Sequence, residues 1–473
     1  MYKVPDASGS SPPGQVNDRR EIFGWTMYDW ANSAYTTTVV AALFGPYLTA
    51  VTRAALGENG VVLDLGFYTV TEKSFYPDIV SLSVILQVFM LPVLGAVADY
   101  SHLKKRLMAF FAFLGAIACC LMFFVDQSTY LLGGLLFLVA NLSFGASIVF
   151  YNAFLNDITT EDQRDKVSSR GFALGYFGGG LLLAVNLAMV TFAEQLGMTT
   201  GTAVRLSLLS SGVWWGGFSI ITFRLLKNRL PVLKLPEGSS LLTVGFRELG
   251  GTFRELRRLP HTLKYLAGYL LYNDGIQTVI GLSSVFLVNE LFVAKGLPEG
   301  DSQSFLLSLV LMIQFVAFVG ALLFERIARW LGTKGAILVS LVIWSATVIY
   351  AYALLATTGQ AYAMGAVIGI VLGGSQALSR SLFSKMIPRG REASFFGIYE
   401  VAERGTSWIG PFIFARVVAT TGSYRQAILS LIVLFVLGMI IVFFTNTDQA
   451  ILDAGNTPDH QGAGGDTAIA GIE

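Results

Sequence analysis

Long apolar stretches, nearly free of charge, recur from one end of this chain to the other. The hydrocarbon core of a bilayer is about 30 Å thick, which an α-helix of about 20 residues crosses. By that criterion spans fall near 22–50, 79–98, 107–125, 131–153, 171–193, 204–224, 263–291, 303–324, 335–356, 361–383, 394–419 and 424–445. Only helices and closed barrels satisfy the backbone inside lipid, and barrel strands need an alternating pattern that these runs lack. The expected fold is therefore an all-α membrane protein with twelve transmembrane helices. Composition agrees: 54% of the residues are hydrophobic and 13% charged, about half the charged share of a soluble domain.

Charge supplies an independent check, because loops on the cytoplasmic side concentrate Lys and Arg. With the N-terminus inside, about 24 of the 32 Lys and Arg fall on the inner side and about 6 on the outer. Arg380 and Arg404 remain within helices. Both termini are expected in the cytoplasm, at the cell membrane if the source is bacterial. The net charge of +1 gives no reason to expect a nucleic-acid partner. Cys119 and Cys120 are neighbours in the third span and read as small packing residues.

The longest inner segment divides the spans six and six. The expected organisation is a disordered tail (1–20), a six-helix half (21–225), a cytoplasmic linker (226–261), a second six-helix half (262–446) and a disordered tail (447–473). Within the linker, FRELGGTFRELRRLP suits either an amphipathic surface helix or a solvated connection.

The first spans of the two halves correspond. YDWANSA holds Tyr28, Asp29 and Asn32; YNDGIQT holds Tyr272, Asn273, Asp274 and Gln277. A mid-helix Asp costs roughly 2.5–3.5 kcal/mol on insertion scales, so such residues face a bundle interior or a wet cavity. Trp25, Asp29, Asn32 and Thr36 share one helical face. Either they line a cavity in which Asp29 faces Asp274, or they tie helices together structurally. SFGASIVFYNAFLNDIT and VLGGSQALSRSLFSKMIP correspond in the same way, which sets Asn152 against Arg380. In span eleven Glu400 and Arg404 stand four apart and suit an ion pair; Glu403 is left to bind Arg380, titrate or face a vestibule. Arg380 suits either a carboxylate partner or an inward reach to the interface. Gly171, Gly175 and Gly179 recur every fourth residue, as close helix packing requires.

GAVADYSHLKKR at 95–106 resembles the signature loop of the major facilitator superfamily. Gly95, Asp99 and Lys104, Lys105 and Arg106 fit that pattern, while His102 and Leu103 replace its second glycine and first arginine. GALLFERIARWLGTKG at 320–335 retains Gly320, Gly332 and Lys334 of the second-half counterpart. Within the superfamily, GWTMYDWANSAY, YNAFLNDIT, GFALGYFGGGLLL and YLLYNDGIQT are similar to the vacuole effluxer-like group, whose fungal members are associated with amino-acid export from the vacuole. The resemblance implies the major facilitator fold, a small-molecule substrate, a monomer in the bilayer, and a gating contact between Asp99 and the N-terminal end of span eleven.

The expected function is secondary active transport of a small polar or zwitterionic solute by alternating access, amino acids by export among the candidates, with proton coupling. Asp29, Asn32, Tyr272, Asn273, Asp274, Gln277, Arg380, Glu400 and Glu403 are the candidate substrate or proton residues. Gly95, Asp99, Lys104, Lys105 and Arg106 are the candidate gate. Amphiphilic substrates, or a receptor without transport, are the competing readings. No enzymatic activity, cofactor or metal site is expected: His102, His261 and His460 lie outside the spans in no ligand spacing, and no phosphate-binding loop motif occurs.

Overall fold

The computed structural model describes residues 16–229, 231, 233, 241–297, 302–404 and 408–458. The tails at 1–15 and 459–473, with His460, lie outside them. Among the described residues ten helices are long and apolar enough to cross a membrane. The first is one helical run, Arg19–Leu56, in which α1 (Arg19–Ala34) passes through a π-helical stretch (Tyr35–Leu43) into α2 (Phe44–Leu56). At 1.5 Å per residue its 38 residues reach about 57 Å, well beyond the hydrocarbon thickness.

A short antiparallel hairpin follows, β1 (Val61–Asp64) against β2 (Thr69–Thr71). It adds a small β element to the expected all-α fold. Next come α3 (Phe75–Asp99), α4 (Lys104–Leu121), α5 (Tyr130–Ile158), α6 (Arg164–Thr191) and α7 (Thr200–Leu225). After the 226–240 segment come α8 (Leu241–Leu256), α9 (Pro260–Leu291), α10 (Ser302–Ala353) and α11 (Thr358–Lys385). The last five are α12 (Glu392–Arg404), α13 (Ile409–Thr421), α14 (Tyr424–Ser430), α15 (Ile432–Phe443) and α16 (Thr447–Asp453).

The 52 residues of α10 are far too many for one crossing. The helix turns at Gly332, whose φ of 73° and ψ of 159° leave the helical region; only glycine holds such a φ without strain. Two apolar legs thus meet at one residue. The eleventh expected span is seen as two pieces, α12 and α13, and residues 405–407 between them lie outside the described residues.

Both ends of the described chain meet one turn. The Asn17 amide donates to the Ile158 carbonyl at 2.9 Å, and the Thr457 amide to the Glu161 carboxylate at 3.1 Å. We call this the terminal face and its opposite the hairpin face. At the terminal face Lys227 donates to Asp18 at 2.6 Å, and Arg229 pairs with buried Glu21 at 2.8 Å. The Lys227 hydrogen bond, with the Arg20 amide, holds the Asp18 carboxyl below its ordinary range. Asp18 therefore supports this contact above the ordinary aspartate pKa, and the support is lost as pH falls through the lowered one.

The packing is that of a membrane protein. Large apolar side chains such as Ile85, Phe89, Phe110 and Ile117 are exposed on the outer surface. The interior mixes aromatics with Asp29, Asn152, Asn186, Arg380 and Glu400. Charged groups inside a bundle need partners, because hydrocarbon offers none.

Candidate functional site

The serine- and glycine-rich GGSQALSRS of α11 lets neighbouring helices come close. A Cβ on Gly374 would strike the Phe324 ring of α10. Arg380 sits in this stretch, 3% exposed. Its Nε donates to Ser168 Oγ at 2.9 Å and its Nη2 to the Ser168 carbonyl at 3.0 Å. Nη1 and Nη2 both donate to Asp29 Oδ2, at 3.3 and 3.2 Å, and Nη1 also to Asn152 Oδ1 at 3.4 Å. A guanidinium has five N–H donors, so every one is occupied. Three rings surround the cation, with Arg380 Cζ 4.2 Å from the Phe172 centroid, 4.9 Å from Trp25 and 5.3 Å from Tyr151.

Asp29 reaches this point because α1 lies tightly on α6. A Cβ on Gly171 would come within 2.5 Å of Asp29 Oδ2, and one on Gly175 within 2.7 Å of Ser33 Oγ. The recurring glycines of α6 are thus packing positions, as expected, and they leave room for a carboxylate. Trp25 stacks on Tyr151 at 4.3 Å and donates its Nε1–H to the Tyr151 carbonyl at 2.8 Å. The Tyr151 hydroxyl then donates to Asp29 Oδ2 at 2.7 Å. Asp29, Tyr151, Asn152 and Ser168 precede α8 in the chain and Arg380 follows it, so the pair joins the two parts.

A second polar layer continues from Asn152, whose Nδ2 donates to Glu400 Oε1 at 2.9 Å. Arg404 pairs with Glu400 Oε2 at 3.2 Å, the four-apart pair read from the sequence. Glu403 accepts from Tyr269 Oη at 3.1 Å, and its carbonyl from Asn273 Nδ2 at 3.3 Å. Tyr272 shares a 2.6 Å hydrogen bond with Ser379 Oγ. Asn32 is buried, and its Nδ2 has no hydrogen-bond partner among the described residues. Gln277 stays partly exposed.

The two aspartates expected to face each other across a cavity have different hydrogen-bond partners. Asp29 is bound by Arg380 and Tyr151, whereas Asp274 Oδ2 accepts the Gly410 amide at 2.6 Å. Beside the guanidinium the buried Asp29 carboxylate is compensated in charge. Arg380 turns to Asp29 rather than to the interface, and Lys385 pairs with Asp165 at 3.3 Å.

At the terminal face Asp99 caps α12. Its oxygens accept from the Ala393 amide at 3.0 Å, the Ser394 amide at 2.8 Å and Ser394 Oγ at 2.5 Å. A helix N-terminus carries partial positive charge and unsatisfied amides, so a carboxylate fits there. Gly95 makes the approach possible, since a Cβ there would strike the Ala393 carbonyl. Lys104 pairs with Asp157 at 3.0 Å and Lys105 donates to the Leu226 carbonyl at 2.6 Å. Arg106 is exposed. Beside this contact lies a cavity of about 780 Å³ whose lining includes Asp99, Lys104, Asn156 and Arg229. Arg391, in the turn before α12, is clasped by Glu248 at 2.7 Å, Glu255 at 3.2 Å and Thr252 at 3.1 Å of α8. Burial alone would lower its pKa, but the Glu248 hydrogen bond and the two carboxylates raise it. Sequence reasoning did not single out Ser168, Phe172 or this Arg391 clasp. Tyr151 stood beside Asn152 in a quoted motif, and a tyrosine on the same helix turn was its only signal.

Residues 17–455 match the sequence model of the family described as Vacuole effluxer Atg22 like. The chain belongs to this Atg22-like family. An uncharacterized MFS-type transporter, YxiO, of Bacillus subtilis (strain 168) is 30% identical to it over 90% of this chain and 95% of the relative. Autophagy-related protein 22-1 of Aspergillus niger is 24% identical over 95% of this chain and 93% of its own. Among solved structures, the transporter FucP in the outward conformation matches with TM-score 0.65 at 11% identity, over 90% of this chain and 98% of that one. The human organic anion transporter MFSD10 matches with TM-score 0.64 at 13% identity, over 91% and 100%. At such identities these likenesses speak for the fold alone, which is that of the major facilitator superfamily. This Atg22-like protein is a multi-pass membrane transporter, and its relatives are transporters rather than enzymes. The match spans every site residue named above.

Proposed function

We propose that this Atg22-like protein is a secondary active transporter of a small polar or zwitterionic solute, working by alternating access with proton coupling. The observation that carries the reading is the buried Arg380–Asp29 pair, which joins the chain before α8 to the chain after it. A solute carboxylate competes with Asp29 for the guanidinium, and a solute ammonium competes with Arg380 for the aspartate. A proton on Asp29 weakens the same pair. Binding or protonation thus loosens a tie between the two parts, as a transport cycle requires. Glu400 and Glu403, bonded to Asn152 and Tyr269, extend the site toward α12. Asn32, Tyr272, Asn273, Asp274 and Gln277 complete it in this reading.

Counting α10 as two legs about Gly332, and α12 with α13 as one further span, supports twelve crossings arranged six and six. The Asp99 cap on α12 supports a gate closed at the terminal face, and the charge bias supports that face being cytoplasmic. Amino acids are the first candidates for export, in keeping with a zwitterion beside an Arg–Asp pair. The ring of Trp25, Tyr151 and Phe172 around the cation favours a second reading, an amphiphilic solute with an anionic group.

The test is flux in proteoliposomes with an imposed pH gradient and a panel of amino acids and amphiphilic anions. Asp29→Asn is expected to keep exchange down a solute gradient while losing pH-driven accumulation. Undiminished pH-driven accumulation in that variant would remove Asp29 from the coupling role.

A further inference from the structure

Between α1, α6 and the first leg of α10 a groove of about 730 Å³ opens toward the terminal face. Its walls are apolar, with Phe23 from α1, Leu174 from α6 and Phe318 and Leu322 from α10. Phe23 is 50% exposed on the outer surface, so the groove is continuous with the lipid-facing side. Arg19, Lys166 and Arg170 line it too. They lie at the start of α1 and in the first two turns of α6, at the ends of two candidate membrane spans, and both arginines are exposed.

Among the described residues no carboxylate lines the groove. Three of the acidic side chains nearest in sequence are engaged elsewhere, Asp18 with Lys227, Glu21 with Arg229, and Asp165 with Lys385 and Ser381, while Asp162 accepts from Gln163 at the rim at 2.7 Å. Arg19, Lys166 and Arg170 take part in no ion pair among the described residues. Three cations of one sign above an apolar channel match a molecule with a phosphodiester at the interface and an alkyl chain below it. Basic pockets between membrane helices bind anionic headgroups in this way.

We propose that this groove is a binding site for one anionic phospholipid. Its headgroup phosphate is held by Arg19, Lys166 and Arg170, and one acyl chain lies against Phe23, Leu174, Phe318 and Leu322. The walls come from both sides of α8 in the chain, α1 and α6 before it and α10 after it. A bound lipid therefore bridges the two parts and favours the arrangement seen here. Arg170 precedes Gly171, whose backbone packs on Asp29, so the lipid sits one residue from the wall of the buried ion pair.

Native mass spectrometry of the full chain in non-ionic detergent tests this, with phosphatidylglycerol, phosphatidylcholine and soluble glycerol phosphate as probes. Phosphatidylglycerol is expected to be retained in preference to phosphatidylcholine. Glycerol phosphate should not displace it at equal concentration. Arg19→Gln, Lys166→Gln and Arg170→Gln together should weaken phosphatidylglycerol binding by about a hundredfold, roughly fivefold for each cation. Leu322→Trp, which fills the groove and keeps the cations, should also abolish retention, and it decides the matter if the triple variant does not fold. Equal retention of the two lipids, or retention unchanged in Leu322→Trp, would overturn the site. Displacement by glycerol phosphate would make it a site for free phosphate esters and overturn the lipid.

Discussion

At the scale of single residues, Arg380 decides what its neighbours do. A lysine at the same place keeps the charge but not the planar fork, and cannot hold Ser168, Asn152 and Asp29 together. Arg380→Gln leaves Asp29 buried without its counter-ion, which costs about 3–5 kcal/mol in buried pairs of this kind. Thermal unfolding in detergent should show that loss. The double variant Asp29→Asn with Arg380→Gln should be more stable than Arg380→Gln alone, because no uncompensated charge remains. Additive destabilisation would mean that the two side chains do not depend on each other. Asp29 was legible in the sequence because an aspartate in an apolar run has a known cost. Its partner was not, since the two residues stand 351 positions apart and only packing brings them together. Symmetry between the halves pointed to the aspartate of span seven across a cavity, and it did not reveal the arginine that binds Asp29.

At the scale of elements, the contact of α3 with α12 is held by a carboxylate on backbone amides rather than by an apolar seam. Asp99→Asn keeps the shape but weakens two amide bonds and the attraction to the helix terminus, each of modest size. The variant should transport several-fold more slowly while equilibrium solute binding stays within a few-fold, as read by flux and by ligand-induced thermal stabilisation. Loss of binding in a folded variant would place Asp99 in the solute site. Which stretches cross the membrane was readable from hydropathy, because lipid imposes a length and an apolar composition. The joints were harder. The polar run ERIARWLGTKG reads as a loop, yet helix continues on both sides of Gly332 and only one residue leaves the helical region. The hairpin of Val61–Asp64 and Thr69–Thr71 is too short to announce itself by alternation.

For the whole molecule, the polar interior and apolar exterior fix the setting, and the Lys and Arg bias predicts the direction in which it is threaded. Single cysteines at His102 and Ser128, both exposed, in a background without Cys119 and Cys120, should react with an impermeant reagent from opposite sides. Reaction from the same side would overturn the arrangement. The turn at Gly332 has a further, mechanical meaning. The first leg of α10 lies against α6, with Phe318 beside Phe177 at 5.4 Å, and the second against α15, with Trp344 stacked on Phe435 at 5.7 Å. A flexible loop would absorb the motion of either leg. Here a single pair of dihedral angles at Gly332 separates them, with no loop between. Under the alternating access proposed above, any change of angle between the two legs would fall on that one glycine, the residue best able to take it.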